Sequence, residues 1–287
     1  MFFAVFAATL ALSPQQQLDT TFAVRSGSRL RLDNHQGAIA VDSWEREEVR
    51  VRARTTGTTR VRLDREGSTV DIEASRRRGP PGNADWEITV PRRFDIEIDA
   101  FNSDIRISNV EGEIHAETTN GSIILSGIRG RINAESTQGR ITIRDSHGEL
   151  QAETVNQGIE ITGHDGDVHA ETVNGGILMA GIRAGSVEAE TVNGNVQYEG
   201  EIRSGGRYAL STHNGGIVLY VPQTANADVT VETFRGEIDS EFPVRIQGGM
   251  GDRRHLEFTL GNGGARIELA SFGGRVRIRR PDGGRSR

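Results

Sequence analysis

The chain repeats one phrase. Ala116-Glu117-Thr118-Thr119-Asn120-Gly121 returns as AESTQG at 134–139, AETVNQ at 152–157, and AETVNG at 170–175 and 189–194. Its glutamates, Glu117, Glu135, Glu153, Glu171 and Glu190, are spaced 18, 18, 18 and 19 residues apart. A turn column behind them, Asn102, Asn120, Gln138, Asn156, Asn174, Asn193 and Asn214, steps by 18 four times, then by 19 and 21. A short fixed period of this kind means a stacked array, in which each unit buries its apolar side only against its neighbours.

Alternation within the unit says what is stacked. In Ile114-His115-Ala116-Glu117-Thr118 and in Ser122-Ile123-Ile124-Leu125-Ser126, apolar or small residues hold every second place, the period of a strand. Asn120-Gly121 punctuates one end and Gly130 the other, residue types that tolerate a positive φ. Ile105, Ile123, Ile141, Ile159, Ile177, Val196 and Ile217 recur after the Asn turn; Ile114, Ile132, Leu150 and Val168 recur after the second turn. β-branched residues dominate both columns and suit a pleated surface stacked on copies of itself. The expected fold is all-β: a single-chain parallel β-solenoid with coils of about 18 residues, right-handed by analogy with crossover connections. Six or seven coils rising ~4.8 Å each give a rod roughly 30 Å long.

Composition enters as a check. The chain has 287 residues, 36 Gly against 7 Pro and only 5% aromatic residues, which fits many turns around a thin core. Its net charge of -6 argues against a nucleic-acid partner, which needs a basic face. All its basic residues are arginines, as GC-rich coding would produce.

In chain order, residues 1–18 begin with an uncharged apolar stretch of signal-peptide length, too short to span a bilayer, and are expected to direct export to the periplasm or the cell surface. No cysteine occurs, which excludes disulfides and a lipidated cysteine. No later apolar run is long enough for a transmembrane segment. Residues 19–100 alternate but lie off the repeat and are expected to form a β-rich N-terminal cap with irregular first coils, interrupted by a solvated SRRRGPPGN loop at 75–83. Residues 101–222 hold the regular coils, 223–280 irregular C-terminal coils with Gly-rich loops at 248–253 and 261–264, and 281–287 a frayed tail.

The recurrent T-V-N-G-x-I phrase, the strand-then-Pro steps at Val90-Pro91 and Val221-Pro222, T-F-R-G-E-I at 233–238, and the closing G-N-G-G-A-R-I-E-L and G-G-R-V-R-I resemble the bacterial putative-adhesin family, a domain of unknown function built of β-strand repeats. The resemblance spans about residues 25–280. It implies an exported parallel β-helical domain and brings no catalytic residues with it.

The columns carry the candidate chemistry. With Ala116 inward, Glu117 and its four equivalents point outward as an acidic stripe. A solvated face is the simpler reading of that stripe; paired carboxylates binding Ca²⁺ are the alternative, and no other cofactor is expected. The Asn/Gln column is expected to be a buried structural turn ladder of stacked amides. Ser/Thr at 118, 136, 154, 172, 191 and 212 invite comparison with an ice-binding surface, but Val155, Val173 and Val192 replace the second Thr such a surface needs. Those valines are expected to turn inward at a corner. His115 and His169 share a column three coils apart; His147 and His164 fall near the second turn, out of register for a shared metal; His35, His213 and His255 have no constellation around them. No G-x-S-x-G, P-loop or H-E-x-x-H pattern occurs.

Two function classes follow. The first is a non-catalytic exported module, an adhesin or envelope scaffold whose long faces bind a surface polysaccharide or an envelope protein. The alternative is a polysaccharide-active β-helix lyase or hydrolase, with Glu153 and Glu171 as the central acidic pair. Against it, catalysis breaks a repeat, and this repeat breaks at 200–207, EGEIRSGG, where a distinct site would be inserted.

Overall fold

The computed structural model describes residues 16–57, 59–76, 82–243 and 255–281. Of the expected signal segment, residues 1–18, those up to 15 lie outside the described residues, as do 77–81 of the arginine-run loop, the Gly-rich loop at 248–253 and the tail from 282. Residues 16–18 open the strand Gln16–Ala23, so the expected boundary at 18 falls inside a strand, and residues 75 and 76 end the strand Thr69–Arg76. No helix occurs among the described residues, and their strands are arranged as two 13-stranded sheets. Among the described residues no helix is long and apolar enough to cross a membrane.

Each regular coil gives one strand to each sheet. Ile114–Thr118 lies in register between Asp95–Asn102 and Ile132–Ser136, with Ala116 opposite Ile98 and Ala134. Ile123–Ser126 lies likewise between Ile105–Ser108 and Ile141–Arg144 in the second sheet. Alternation carries Ile114, Ala116, Ile123 and Leu125 inward, where all four are buried, so the core is a stack of similar layers. This is a β-solenoid. With thirteen strands per sheet rather than seven, its length is about 58 Å at one strand spacing per step.

The extra length comes from the segments off the repeat, and the chain does not stack them in order. Arg29–Gln36 sits between Thr69–Arg76 and Asp95–Asn102, so the first coil intervenes between the second and the third. At the other end Ala265–Ser271 sits between Arg207–Thr212 and Ala227–Thr233, so the last coil slots beneath its predecessor. Antiparallel strands then close three of the four sheet ends: Gln16–Ala23 on Glu48–Thr55, Thr59–Glu66 on Thr69–Arg76, and His255–Leu260 on Ala227–Thr233. The fourth end is Ile238–Ser240, three residues long. Short or charged edge strands do not template a further chain.

The Asn-Gly turn departs from the sequence expectation in its reason for glycine. Gly121 and Gly139 do not have positive φ. A Cβ on Gly139 would stand 1.6 Å from the Gly121 carbonyl oxygen, and one on Gly121 1.9 Å from that of Ser103. Glycine is there because backbone rides on backbone from coil to coil. The Ser/Thr column, far from forming a surface, is buried and locks this turn. Thr118 donates to the Ser103 carbonyl at 3.0 Å, Ser136 to Gly121 at 2.9 Å, Thr154 to Gly139 at 2.9 Å and Thr172 to Gln157 at 2.8 Å. Each hydroxyl thereby satisfies a turn carbonyl of the coil before it.

Candidate functional site: the carboxylate face

Register turns the outward glutamates into a longer column than the repeat announces. Below Glu117 lies Asp99, then Asp33, then Glu73; above it run Glu135, Glu153, Glu171 and Glu190. Eight acidic side chains stand on eight successive strands, about 4.8 Å apart. No arginine forms an ion pair with any of them among the described residues, whereas the flanking column pairs freely: Arg31 with Glu97 at 3.2 Å, Arg131 with Glu149 at 3.1 Å. Within the column, Glu135 accepts from Asn133 at 2.8 Å and Glu153 from Gln151 at 2.6 Å. Unscreened neighbours at this spacing repel by about 1 kcal/mol each in a water-like medium.

Asp99 could have been found in the sequence, since it precedes Glu117 by one period and stands before Asn102 as Glu117 stands before Asn120. Asp33 and Glu73 could not, because only the out-of-order stacking brings them into line.

Beside the carboxylates runs an apolar corner. Val155 and Val192 are each 40% exposed, so the expectation that the valines turn inward is corrected: the buried Thr before each of them takes the inward place, and alternation sends the valine out. The column continues from Val192 to His213, Phe272 and Phe234. His213 and Phe272 stack with centroids 4.6 Å apart, and Phe272 and Phe234 at 4.8 Å. At the opposite end His35 stacks on Phe101 at 5.2 Å. Where Ser211 and Ala270 replace the glutamate between Glu190 and Glu232, an open groove of about 510 Å³ forms against this aromatic stack. His255 closes it, held 3.4 Å from Glu232 and 3.1 Å from Glu257; the bond to Glu257 raises its pKa above the ordinary imidazole value.

The amide ladder lies next to this corner and is at the surface rather than buried. Asn120 donates to Asn102 at 2.8 Å, Asn174 to Asn156 at 3.1 Å, Asn193 to Asn174 at 2.8 Å and Asn214 to Asn193 at 2.9 Å. Gln138 interrupts it: Asn156 turns to the Thr137 carbonyl at 3.4 Å. A side chain one methylene longer does not hold the amide on the stacking axis.

The profile of the Toastrack DUF4097 family matches residues 28–279. The chain belongs to this family. No curated protein matches it. Among solved structures, this Toastrack chain is 10% identical to a putative adhesin from Bacteroides fragilis NCTC 9343, over 92% of this chain and 97% of that one, with a TM-score of 0.38. It is 8% identical to a putative adhesin from Parabacteroides merdae ATCC 43184, over 92% and 96%, with a TM-score of 0.34. A putative cell adhesion protein from Clostridium sporogenes ATCC 15579 is 9% identical over 93% and 100%, with a TM-score of 0.26. Likenesses of this degree carry no argument about a ligand.

Elsewhere in the Toastrack rod the polar groups serve the fold. The insertion at 200–207 is closed by Tyr198 and Tyr208, whose hydroxyls donate to the carbonyls of Glu201 at 3.1 Å and Ala184 at 2.9 Å, so the expected convergence of free polar groups there is instead a structural plug. His164 occupies a core column with Val110, Ile128, Ser146 and Ile182, and its Nδ1 is 2.8 Å from Ser146 Oγ. Burial lowers the pKa of His164. His147 lines an open groove of about 760 Å³ with Arg92, Arg129, Asp165 and Arg183, where both signs of charge alternate. One mixed cluster stands out on the carboxylate face: ligand atoms of Asp99, His115 and Glu117 lie within 4.8 Å of one another.

Proposed function

We propose that this chain is a non-catalytic, exported envelope rod whose carboxylate face and apolar corner bind a polymeric partner, a surface polysaccharide or an envelope protein. The observation that supports the reading most is the uniformity of that face: one carboxylate per coil over eight strands, beside a continuous Thr, Val and aromatic edge. A surface that repeats its contact at every coil gains avidity from a partner that repeats too, each weak contact raising the effective concentration for the next. A reaction centre needs one place unlike the others, and no member of the column is distinguished as a general acid or a nucleophile. The apolar opening stretch supports export.

The test is sedimentation of the purified chain with insoluble peptidoglycan and a panel of surface polysaccharides, with and without EDTA, while the supernatant is assayed for new sugar ends. Binding without release is expected, and it should weaken at least about tenfold in a triple variant, Glu135→Gln, Glu153→Gln and Glu171→Gln, that removes three adjacent charges. Appearance of sugar ends would replace this reading with the polysaccharide-active enzyme.

A further inference from the structure

We propose that Asp99, His115 and Glu117 form a binding site for one divalent transition-metal ion of the Zn²⁺ type. His115 and Glu117 are two residues apart on Ile114–Thr118 and so share its outward face, and register sets Asp99 directly opposite Glu117 on Asp95–Asn102. One donor atom from each lies within 4.8 Å of the other two. Donor atoms on a tetrahedral ion are about 3.4 Å apart, so side-chain rotation at this open surface closes the distance.

The neighbours explain why the site falls here in a column of near-identical coils. Glu97, beside His115 on the adjacent strand, is taken by Arg31 at 3.2 Å. Glu135, above Glu117, is taken by Asn133 at 2.8 Å. That leaves Asp99 and Glu117 as two carboxylates in no ion pair, on adjacent strands, beside an imidazole, with the Arg31 guanidinium in electrostatic reach of Asp99. Three coils further on, His169, Glu171 and Glu153 occupy the equivalent places, but His169 Nδ1 is 3.3 Å from Glu188, Glu153 accepts from Gln151 at 2.6 Å, and the three do not converge as the first set does. The repeat offers the arrangement once among the described residues.

The imidazole also decides the class of ion. Ca²⁺ takes oxygen donors, so a Ca²⁺ site would find every coil of the column equivalent. One nitrogen with two carboxylates suits Zn²⁺ and its neighbours, and three protein ligands leave a position for water or for a partner's carboxylate. A support is in place behind the ring: Asn133 Nδ2 lies 3.2 Å from His115 Nδ1, while the buried Oδ1 of Asn133 has no partner.

The site does not depend on what the face binds, and its test is separate from sedimentation. The untagged, metal-stripped chain is titrated calorimetrically with ZnCl₂ and, in a second series, with CaCl₂. One equivalent of Zn²⁺ is expected, with affinity at least about tenfold weaker in His115→Ala, His115→Gln and Asp99→Asn, unchanged in His169→Ala, and undiminished by excess Ca²⁺. Circular dichroism confirms that these surface variants are folded. Absence of Zn²⁺ binding, unaltered binding in both His115 variants, or equal loss on Glu153→Gln would overturn the proposal; the last would mean diffuse attraction to the column.

Discussion

At the scale of single residues, the fold rests on hydroxyls and glycines that the repeat places at the Asn-Gly turn. Thr154 supplies the partner of a buried carbonyl, so Thr154→Val should cost about 1–3 kcal/mol, read as a lowered urea midpoint with unchanged slope. Thr154→Ser should be close to neutral, because Ser136 makes the same bond. Gly139→Ala forces backbone away from backbone and should cost about 1–3 kcal/mol or abolish folding. His164 has a different signature. Its folded-state pKa lies below the unfolded value of about 6.5. Above that value the ring is neutral in both states and its contribution to stability is complete. As pH falls through it, the unfolded chain takes up a proton that the folded chain resists, and stability drops until the folded pKa is passed. The urea midpoint should therefore fall more between pH 7.5 and 5.5 in the native chain than in His164→Ile, which puts at 164 the residue the column carries at 128 and 182; equal pH dependence would show that His164 is not the group responsible.

At the scale of the element, one five-residue strand serves both the core and the surface by alternation alone. Ile114, Ala116 and Thr118 go to the core; His115 and Glu117 go to the surface. The corner that follows is where alternation and turn compete, and the valines come out because the preceding threonine is committed to a carbonyl inside. Val155→Thr together with Val192→Thr should leave stability within about 0.5 kcal/mol, since both side chains are exposed and Thr119 and Thr137 hold the same place in other coils. The same pair should weaken sedimentation with the polymer that the native chain binds, and unaltered binding would remove the apolar corner from the binding surface.

At the scale of the whole molecule, the two ends are tied by coils out of chain order. Residues 265–279 contribute the strands on which Ala227–Thr233 and Ile238–Ser240 rest, so a chain ending at residue 243 loses its penultimate layer and bares Arg207–Thr212 as an edge. Such a chain should aggregate or unfold over a broader urea range than the full chain, whereas loss of residues 282–287 should change neither. The period, the two strands per coil and the alternation along each strand were legible in the sequence, because β alternation and turn chemistry are local and repeat without change. The corner valines and the Asn ladder, expected inward and buried, stand at the surface, the valines because the preceding threonine takes the inward place and the asparagines because the turn overrides alternation there. Legible too were the five glutamates and the Asn column. What only tertiary stacking decided is which distant strands become neighbours: Asp33 and Glu73 extend the carboxylate column, and the last coil slides under the one before it. Strand pairing between segments far apart in the chain is settled by which stacked layers fill the core and satisfy the backbone, and no local pattern encodes that choice.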